Sequence, residues 1–445
     1  QADWRRVLFT GFVEGNQQHR VNGFALGLDG WVYGANGDSG GTIRIDGREE
    51  VRTPSGWKEV SPGRANPGSP VSISGRDFRF RPDALEFEAI EGQTQFGRNR
   101  DDWGQWFGNA NYTWLWQYPL PSRYVVRNPH LAIRDPRRML AQHPLGNRVF
   151  PVRRALPRPN VVGDENAVTS ACSPTPYRDD RFGPEFADAI FISEPSGNLV
   201  HCELLDRTGP GFTSRRWGGD APREFLASND PWFRPAQLKT GPDGALYLAD
   251  MYRWVLEHPE WIPRDMQERL DVRAGEDRGR IYRIVPEGAA DRRIVPLAGW
   301  DGAGLVAALD SPNGWQRDTA MRLLWERNDR TAVPALERLA TGASSAKVRV
   351  QAGATLDGWG ALTPDVLLRL LSDAEPAVRA AAVLWAEAKL RPPMESEGVL
   401  SAVCRLAGDP DPRVVFQVAL SLGESPSRRA GEALGTVAVR WGGDS

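Results

Sequence analysis

The sequence is poor in cysteine and carries no cysteine motif of known chemistry. Its 445 residues include three cysteines, at positions 172, 202 and 404. No CxxC or CxxCH motif is present, which excludes a cysteine-based zinc site and covalent haem attachment within this chain. Two alternatives stay open for Cys172 and Cys202, a disulfide bond or a pair of free buried thiols.

Long apolar runs and a strong net charge are also missing. No stretch approaches the roughly 20 apolar residues that a membrane-spanning helix needs. A net charge of −2 gives no electrostatic footprint of nucleic-acid binding. P-loop and GxGxxG motifs are absent, so NTPase and Rossmann functions have no support. The chain begins QADWRRVLF without a methionine, and we expect it to be an internal piece of a longer protein.

Residues 16–41 set the pattern for the first two thirds of the chain. They read NQQHRVNGFALGLDGWVYGANGDSGG, a polar loop with His19, a turn at Asp29-Gly30 and a short aromatic strand. The turn-then-strand form recurs at 104–108, 183–192 and 241–248. Further strands are predicted at 42–45, 78–81, 198–205 and 279–285.

This pattern favours a fold in which small sheets repeat around a central axis. A parallel α/β sheet fits less well, because no amphipathic helix separates the strands. We therefore predict a β-propeller over residues 1–287, with about four blades present. A Pro- and Arg-rich stretch at about 119–182 is predicted to be a long ordered insertion.

From residue 288 the composition shifts to Ala, Leu, Val and Arg with a helical period. Three runs resemble one another, at 347–356, 377–386 and 413–422, and 315–324 is a weaker copy. Their spacings of 32, 30 and 36 residues predict HEAT-like repeats that stack into an α-solenoid over 288–445. No catalytic constellation is visible there, so we expect a scaffold or a docking surface for a protein partner.

Several long motifs resemble one protein family. They are residues 16–41, GRDFRFRPD (75–83), QTQFGRNRDDWGQWFGN (93–109), TSACSPTPYRDD (169–180) and LASNDPWFRPAQLKTGPDGALYLADMYRWVLEHPEWI (226–262). In them the chain resembles the large "membrane-bound dehydrogenase" family, abundant in Planctomycetes and their relatives. That family joins a propeller, similar to the soluble quinoprotein glucose/sorbosone dehydrogenases, to HEAT-like repeats and often to a cytochrome c domain. The resemblance implies about six blades, two of them missing here, and haem c only in a domain absent from this chain.

The resemblance implies a general base and a quinone cofactor. In the sugar-dehydrogenase relatives a histidine beside the first Gly-Asp turn takes the substrate hydroxyl proton while hydride passes to PQQ. His19 is similar in placement. Imidazole suits this role because it exchanges protons near neutral pH. The alternative is a histidine hydrogen-bonded within its own loop.

PQQ carries three carboxylates, so the implied site needs guanidinium or ammonium partners. Arg98-Asn99 resembles the relatives' Arg-Asn pair before a blade strand, and Arg234 resembles another loop arginine. Asp250 and Tyr252 close the fourth turn-strand unit and complete the predicted cofactor-binding set. The alternative for both arginines is a structural ion pair with a nearby carboxylate: Asp101, Asp102 or Asp230.

The relatives also use calcium to polarise the quinone, and calcium prefers oxygen ligands. Asn36, Asp38 and Asn109 are the candidate metal residues here, with a plain turn as the alternative for Asn-Gly-Asp. The lysine and paired arginines that surround the relatives' cofactor have no counterpart that we can place. The remaining histidines lack metal-binding spacing and are interpreted as surface or structural residues: His130, His143, His201 and His258.

Two functional hypotheses follow. The first is a PQQ-type dehydrogenase module that oxidises a sugar or other alcohol in the periplasm and passes electrons to a cytochrome c domain in full-length, membrane-associated relatives. The second is a non-catalytic propeller and HEAT scaffold that binds glycans or partner proteins. Neither hypothesis requires nucleic acid or a membrane-spanning segment in this chain.

Overall fold

The computed structural model describes residues 2–61, 69–131, 133, 135–153 and 166–443. In these residues the chain forms antiparallel sheets up to Ile284 and a helical region from Gly302. Both parts were predicted from the sequence pattern. No helix in the described ranges combines the length and apolarity needed to cross a bilayer.

The strands, in chain order, are β1 (Trp4–Arg6), β2 (Phe9–Phe12), β3 (Asn22–Leu26), β4 (Val32–Ala35), β5 (Gly41–Ile45), β6 (Glu49–Thr53), β7 (Gly56–Ser61), β8 (Val71–Ser72), β9 (Phe78–Arg81), β10 (Glu86–Ala89), β11 (Asn99–Arg100), β12 (Trp106–Ala110), β13 (Thr113–Gln117), β14 (Arg138–Met139), β15 (Cys172–Pro176), β16 (Ala189–Glu194), β17 (Leu199–Thr208), β18 (Gly211–Arg216), β19 (Leu226–Ala227), β20 (Pro235–Thr240), β21 (Leu246–Asp250) and β22 (Arg280–Ile284). The helices are α1 (Ser122–Val125), α2 (Arg264–Gln267), α3 (Gly302–Leu309), α4 (Gly314–Arg327), α5 (Val333–Gly342), α6 (Ala346–Gly358), α7 (Pro364–Leu370), α8 (Pro376–Ala386), α9 (Glu397–Arg405), α10 (Pro412–Ser421) and α11 (Arg428–Trp441).

Four sheets share one topology, in which strands that follow one another along the chain lie side by side in the sheet. The first sheet is β3-β4-β9-β10, the second β11-β12-β13-β14, the third β15-β16-β17-β18 with β19 beside β17, and the fourth β20-β21-β22. The four predicted turn-then-strand units supply the second strand of each sheet, namely β4, β12, β16 and β21. Two smaller sheets, β1-β6-β7 and β2-β5-β8, complete this region, and the predicted strand at 42–45 lies in the second of them.

The four sheets pack face to face in chain order. Tyr33 of the first sheet stacks on Trp106 of the second, with ring centroids 4.0 Å apart. One apolar cluster joins the second sheet to the third through Phe107 and Ile192, and another joins the third to the fourth through Phe191 and Leu248. The first strands also touch in succession, β3 with β11, β11 with β15, and β15 with β20. Blade-like stacking of this kind is compatible with a propeller, whereas closure of a ring and the number of blades stay predictions.

The stretch predicted to be an insertion, 119–182, contains α1, β14 and also β15. Because β15 is the first strand of the third sheet, the irregular part of this stretch ends before Cys172. Residues 154–165 of it lie outside the described part of the chain. Cys172 and Cys202 are free buried thiols on β15 and β17, which have β16 between them, so the disulfide alternative is wrong.

The helical region follows the predicted repeats. The runs at 315–324, 347–356, 377–386 and 413–422 lie in α4, α6, α8 and α10, which pack side by side over one continuous apolar core. Arginines on two of these helices bind aspartates in the turns of the next repeat, Arg349 to Asp373 and Arg379 to Asp409. Each pair is bidentate, which fixes the register between consecutive repeats.

The helical region is joined to the sheets by a network of buried charges. Asp102, in the turn after β11, receives ion pairs from Arg178 at 2.6 Å, Arg317 at 2.5 Å and Lys347 at 3.0 Å. Asp318 of α4 binds Arg178 at 2.6 Å in return. Burial alone would raise the pKa of Asp102, but Arg317 and Arg178 outweigh it and hold the pKa well below its usual range.

Loss of the Asp102 carboxylate would remove the partner that Arg178, Arg317 and Lys347 share, and Asp318 would still bind Arg178. We expect Asp102→Asn to lower the free energy of unfolding by about 3–5 kcal/mol, measured by urea denaturation at pH 7. Asp277→Asn is the matched control, because the Asp277 side chain is 80% exposed, and it should change stability by less than about 0.5 kcal/mol. Equal stability of the two variants would show that the network does not hold the two regions together.

Candidate functional site

The first strands of the four sheets begin at a common end of the sheet region, which we call the loop end. Antiparallel pairing places the start of each first strand beside the end of the second, as in Asn22 with Ala35 and Pro235 with Asp250. Contacts between sheets join these starts: Gly97 N–H donates to Asn22 Oδ1, and the Cys172 thiol lies 3.3 Å from the Ala236 carbonyl oxygen. The residues that the sequence predicts to be catalytic, cofactor-binding or metal-binding lie at or close to this end. Asn99 is the exception, because it lies deeper in the second sheet.

His19 lies on the loop that leads into β3, with a quarter of its side chain exposed. Gln95 Nε2 is 3.2 Å from His19 Nε2 and 3.4 Å from His19 Nδ1, and the Asp38 carboxylate is 3.6 Å from His19 Nδ1. The ring edge also meets the face of Phe96. The imidazole is therefore held between an amide and a carboxylate while part of it stays open to solvent.

Two loops packed on each other fix this position. Ser39 N–H donates to the His19 carbonyl oxygen, and Gly37 N–H donates to Thr94 O. Gly37 has a φ of 71°, and a Cβ at this position would lie 2.1 Å from the carbonyl oxygen of Arg20. A glycine is thus required where the 36–41 loop crosses the histidine loop.

Gln95 was not singled out from the sequence, because it lies 76 residues from His19 and only the fold brings them together. The Gln95 Oε1 atom accepts a hydrogen bond of 2.7 Å from the backbone N–H of Asn111. This contact orients the amide so that Nε2 faces His19. The amide can therefore donate to whichever ring nitrogen of a neutral His19 carries the lone pair.

Arg98 lies in the interior and is fully buried. Its guanidinium donates to Asp77 Oδ2 at 3.1 Å and to Glu91 Oε1 at 2.5 Å, and it stacks on the ring of Tyr118. Burial alone would lower the pKa of Arg98, but Glu91 and Asp77 outweigh it, so the group stays charged. Arg98 is in a structural ion pair, though with partners other than the aspartates considered from the sequence.

Arg234 is also engaged within the protein. Its guanidinium donates to the backbone carbonyl oxygens of Pro195, Arg253 and Trp254. Its own backbone N–H donates to Asp250 Oδ1 at 2.7 Å. Arg234 therefore ties the loops of the third and fourth sheets together.

The other cofactor candidates take up different positions. Asp250 Oδ1 also accepts from the Tyr252 backbone N–H, whereas Asp250 Oδ2 is buried and has no partner among the described residues. Tyr252 has a φ of 52° and its ring lies beneath Arg280. Asn99 lies deeper, with Nδ2 donating to Pro174 O and Oδ1 accepting from Lys239.

Two of the predicted metal residues make contacts within the protein. Asn36 is used structurally, with Oδ1 accepting from Gly40 N–H and Nδ2 donating to Ile73 O and Arg76 O. Asp38 faces His19. In the described ranges no three His, Cys, Asp or Glu side chains come together as a metal site.

At the loop end, several buried polar atoms have no hydrogen-bond partner within the part of the chain that the structure describes. They belong to Asn109 of β12, Ser193 of β16 and Asp250 of β21, all near the loop ends of second strands. Buried polar atoms are rarely left unpaired in proteins. A polar ligand or ion bound at these three positions would supply the missing hydrogen-bond partners.

The 36–41 loop also contains the sequence GDSGG, which fits the GxSxG spelling of a hydrolase nucleophile. That motif requires a sharp turn from a strand into a helix. Here the loop connects β4 to β5, two strands of different sheets. Ser39 therefore lacks the structural context of a nucleophile elbow.

The remaining histidines include one buried network. His201 is held between Glu203 at 2.7 Å and Glu224 at 2.9 Å, and its ring stacks on Trp114. His143 contacts the same Glu203 carboxylate at 3.0 Å. The hydrogen bonds from both histidines outweigh burial and lower the pKa of Glu203 to about 2.

Comparison with known families gives two matches. The model of the family described as a domain of unknown function, DUF7133, matches residues 1–288. The chain belongs to the DUF7133 family. A HEAT-repeat model matches residues 363–439, which span the described helices α7 to α11. A search of curated proteins gives no match to this chain.

The Gly37 contact can be tested by substitution. We expect Gly37→Ala to lower the free energy of unfolding by about 2–3 kcal/mol, since it adds a backbone clash to the roughly 1 kcal/mol cost of a left-handed alanine. It should also raise the rate at which diethylpyrocarbonate modifies His19, followed by mass spectrometry. Gly209→Ala is the control, because Gly209 has a φ of 56° and nothing within 4 Å of an added Cβ. Equal effects of the two changes on both readouts would contradict this account of the loop.

The Glu203 network predicts a dependence of stability on pH. A carboxyl with a lowered pKa stabilises the fold above its unfolded pKa near 4.5, and this contribution is lost as the pH falls towards 2. We expect Glu203→Gln to cost about 3 kcal/mol at pH 6 and about half of that at pH 3, measured by urea denaturation. The exposed Glu276→Gln should show a small effect that does not change with pH. A cost for Glu203→Gln that is constant across this range would contradict the assignment.

Proposed function

We propose that the loop end binds a small hydroxylated molecule, a sugar or other alcohol, in a dehydrogenase-type module where His19 takes the hydroxyl proton. The observation that carries this proposal is the position of His19, partly exposed at the loop end and clamped by Asp38 and Gln95. The resemblance to the dehydrogenase family supports it as well. In this proposal the four stacked sheets belong to a propeller, and the protein works in the periplasm.

The hydrogen bonds around His19 define what the imidazole does. Gln95 Nε2 lies within hydrogen-bond distance of both ring nitrogens, so a neutral His19 offers it the lone pair that a general base needs. The Asp38 carboxylate lies 3.6 Å from Nδ1 and stabilises the ring once it becomes charged. A substrate hydroxyl has to displace the Gln95 amide to reach the lone pair.

The residues predicted to hold PQQ fit that cofactor poorly. PQQ, when bound, supplies the quinone that accepts hydride, and its carboxylates need cationic partners. Arg98 is fully buried between two carboxylates, and Arg234 is used by three backbone carbonyl groups. We therefore derive no step through PQQ at these two residues. For calcium, the unpaired oxygens of Asn109 and Asp250 fit better than Asn36, whose amide is fully used.

A second candidate function is a non-catalytic scaffold that binds glycans or partner proteins. The specific observation in its favour is that Arg98 and Arg234 are both hydrogen-bonded to other groups of the protein. A binding module has no cofactor that these guanidinium groups would have to hold. In this function the loop end recognises hydroxyl groups through Gln95 and Asp38, and the HEAT repeats dock a protein. Electron transfer to a cytochrome c domain belongs only to the first proposal.

One experiment separates the two functions. The full chain is incubated with PQQ and calcium, and dye reduction is followed across a panel of sugars and alcohols, with binding of the same compounds measured by calorimetry. The dehydrogenase proposal predicts turnover that falls at least 100-fold in His19→Ala and is unchanged in the exposed control His130→Ala. Absence of turnover, together with sugar binding that survives His19→Ala, would overturn it and favour the scaffold.

A further inference from the structure

The segment 138–150 leads from the second sheet onto the outer strands of the third sheet. It begins with β14, which pairs with β13. Leu140, Ala141 and Val149 then bury their side chains in the apolar cluster between the two sheets. These apolar contacts do not depend on pH. The segment also makes four polar contacts to the third sheet, and all four end on one buried network of charged side chains.

The first two of these contacts end on Glu203 of β17. His143 Nε2 lies 3.0 Å from Glu203 Oε1, and the backbone N–H of Ala141 donates to Ser214 Oγ at 2.7 Å. Ser214 in turn donates to Glu203 Oε2 at 2.6 Å. The beginning of the 138–150 segment is therefore held, directly and through a hydroxyl group, by a single buried carboxylate.

The other two contacts end on a second carboxylate, Glu224, and its partner Arg216. The backbone N–H of Phe150 donates to Glu224 Oε1 at 2.9 Å. Arg216 donates to the same carboxylate and, at 3.0 Å, to the carbonyl oxygen of Arg148. The guanidinium also lies over the Phe150 ring, 4.6 Å from its centre. The end of the 138–150 segment therefore depends on Glu224 as its beginning depends on Glu203.

His201 joins the two carboxylates. Its Nε2 lies 2.7 Å from Glu203 Oε1 and its Nδ1 lies 2.9 Å from Glu224 Oε2, and its side chain is fully buried. A neutral imidazole has one N–H group and can donate to only one of the carboxylates, whereas an imidazolium donates to both. The ring of Trp114, stacked at 4.2 Å, also favours a cation. Burial alone would lower the pKa of His201, but the hydrogen bonds to Glu203 and Glu224 outweigh it and raise the pKa.

The charges of this network balance when His201 carries two protons. Among the described residues, two carboxylates then face two cations: Glu203, Glu224, His201 and Arg216. His143 can donate from Nε2 whether its ring is neutral or charged, and Cys202 faces the apolar cluster on the opposite side of β17. Loss of the His201 proton would leave one buried carboxylate facing a nitrogen lone pair, and such an uncompensated charge is costly away from water.

We propose that His201 is a proton-dependent latch, whose imidazolium holds the 138–150 segment on the third sheet and whose deprotonation releases it. A group with a raised pKa stabilises the folded contact below its unfolded pKa near 6.5, and this contribution is lost as the pH rises through the folded pKa. The lowered pKa of Glu203, about 2, keeps that carboxylate charged in mild acid. The latch is therefore closed in mildly acidic and neutral solution and opens in alkaline solution. It does not depend on the function proposed for His19.

The proton on His201 can be observed directly, because the chain has five histidines. The full chain is labelled with isotope-enriched histidine and titrated by NMR spectroscopy. The signal of His201 is identified by its loss in His201→Gln or, if that variant does not fold, by substitution of the other four histidines. We expect His201 to remain protonated at neutral pH and to titrate at a higher pH than His130, which is exposed. Titration of His201 at or below the pH at which His130 titrates overturns the proposal.

Release of the 138–150 segment is measured by hydrogen–deuterium exchange at pH 6.5 and 9.5, with each rate divided by the intrinsic rate at that pH. We expect protection of residues 141–150 to fall about tenfold or more at pH 9.5, since one pKa unit corresponds to a tenfold change. Helix α8 is the reference and should keep its protection. His143→Gln can still donate to Glu203 and should keep the pH dependence, whereas His201→Gln should exchange fast at both values. Unchanged protection of 141–150, an equal fall in α8, or a pH dependence lost only in His143→Gln overturns the latch.

Discussion

The contact between the sheets and the helices depends on Asp102 and Asp318, two carboxylates surrounded by cations. Neither guanidinium nor carboxylate groups are stable away from water unless they are paired with good geometry. The second and third sheets with their turns supply Arg100, Asp102 and Arg178, and α4 supplies Arg317 and Asp318. Each side alone would leave charges unpaired, so the two regions are complementary halves of one network. Tyr124 of α1 adds a second junction by donating to Glu387 at 2.5 Å.

This junction makes the two ends of the sheet region different in kind. At the junction end the turns after the first strands are covered by helices and rich in ion pairs. At the loop end the chain presents polar loops, a partly exposed histidine and several unpaired buried polar atoms. Polar loops held by a rigid scaffold are where binding residues are usually found in β proteins. The ion-paired end and the loop end of the sheets are therefore separated by the length of the strands.

Much of the fold could be predicted from local patterns. Turn glycines followed by aromatic or branched residues gave the second strands, and a helical period gave α4, α6, α8 and α10. The same reasoning extended the predicted insertion to residue 182, although β15 begins at Cys172. Cys172–Pro176 contains two prolines and therefore does not have the composition of a typical strand. Local patterns determine which segments are strands. They contain no information on which distant segments meet, and this is why the Asp102 network was not foreseen.

The candidate site shows the same limit more sharply. An arginine next to a loop has the same sequence signature whether it faces a cofactor or the interior, and Arg98 faces Asp77 and Glu91, the former 21 residues away. His19 has its partner Gln95 at a separation of 76 residues, so its orientation depends on the packing of two loops. A charge pattern in the sequence can show that cations are available. Whether a cation is free to bind a ligand depends on how many carboxylates the fold brings to it.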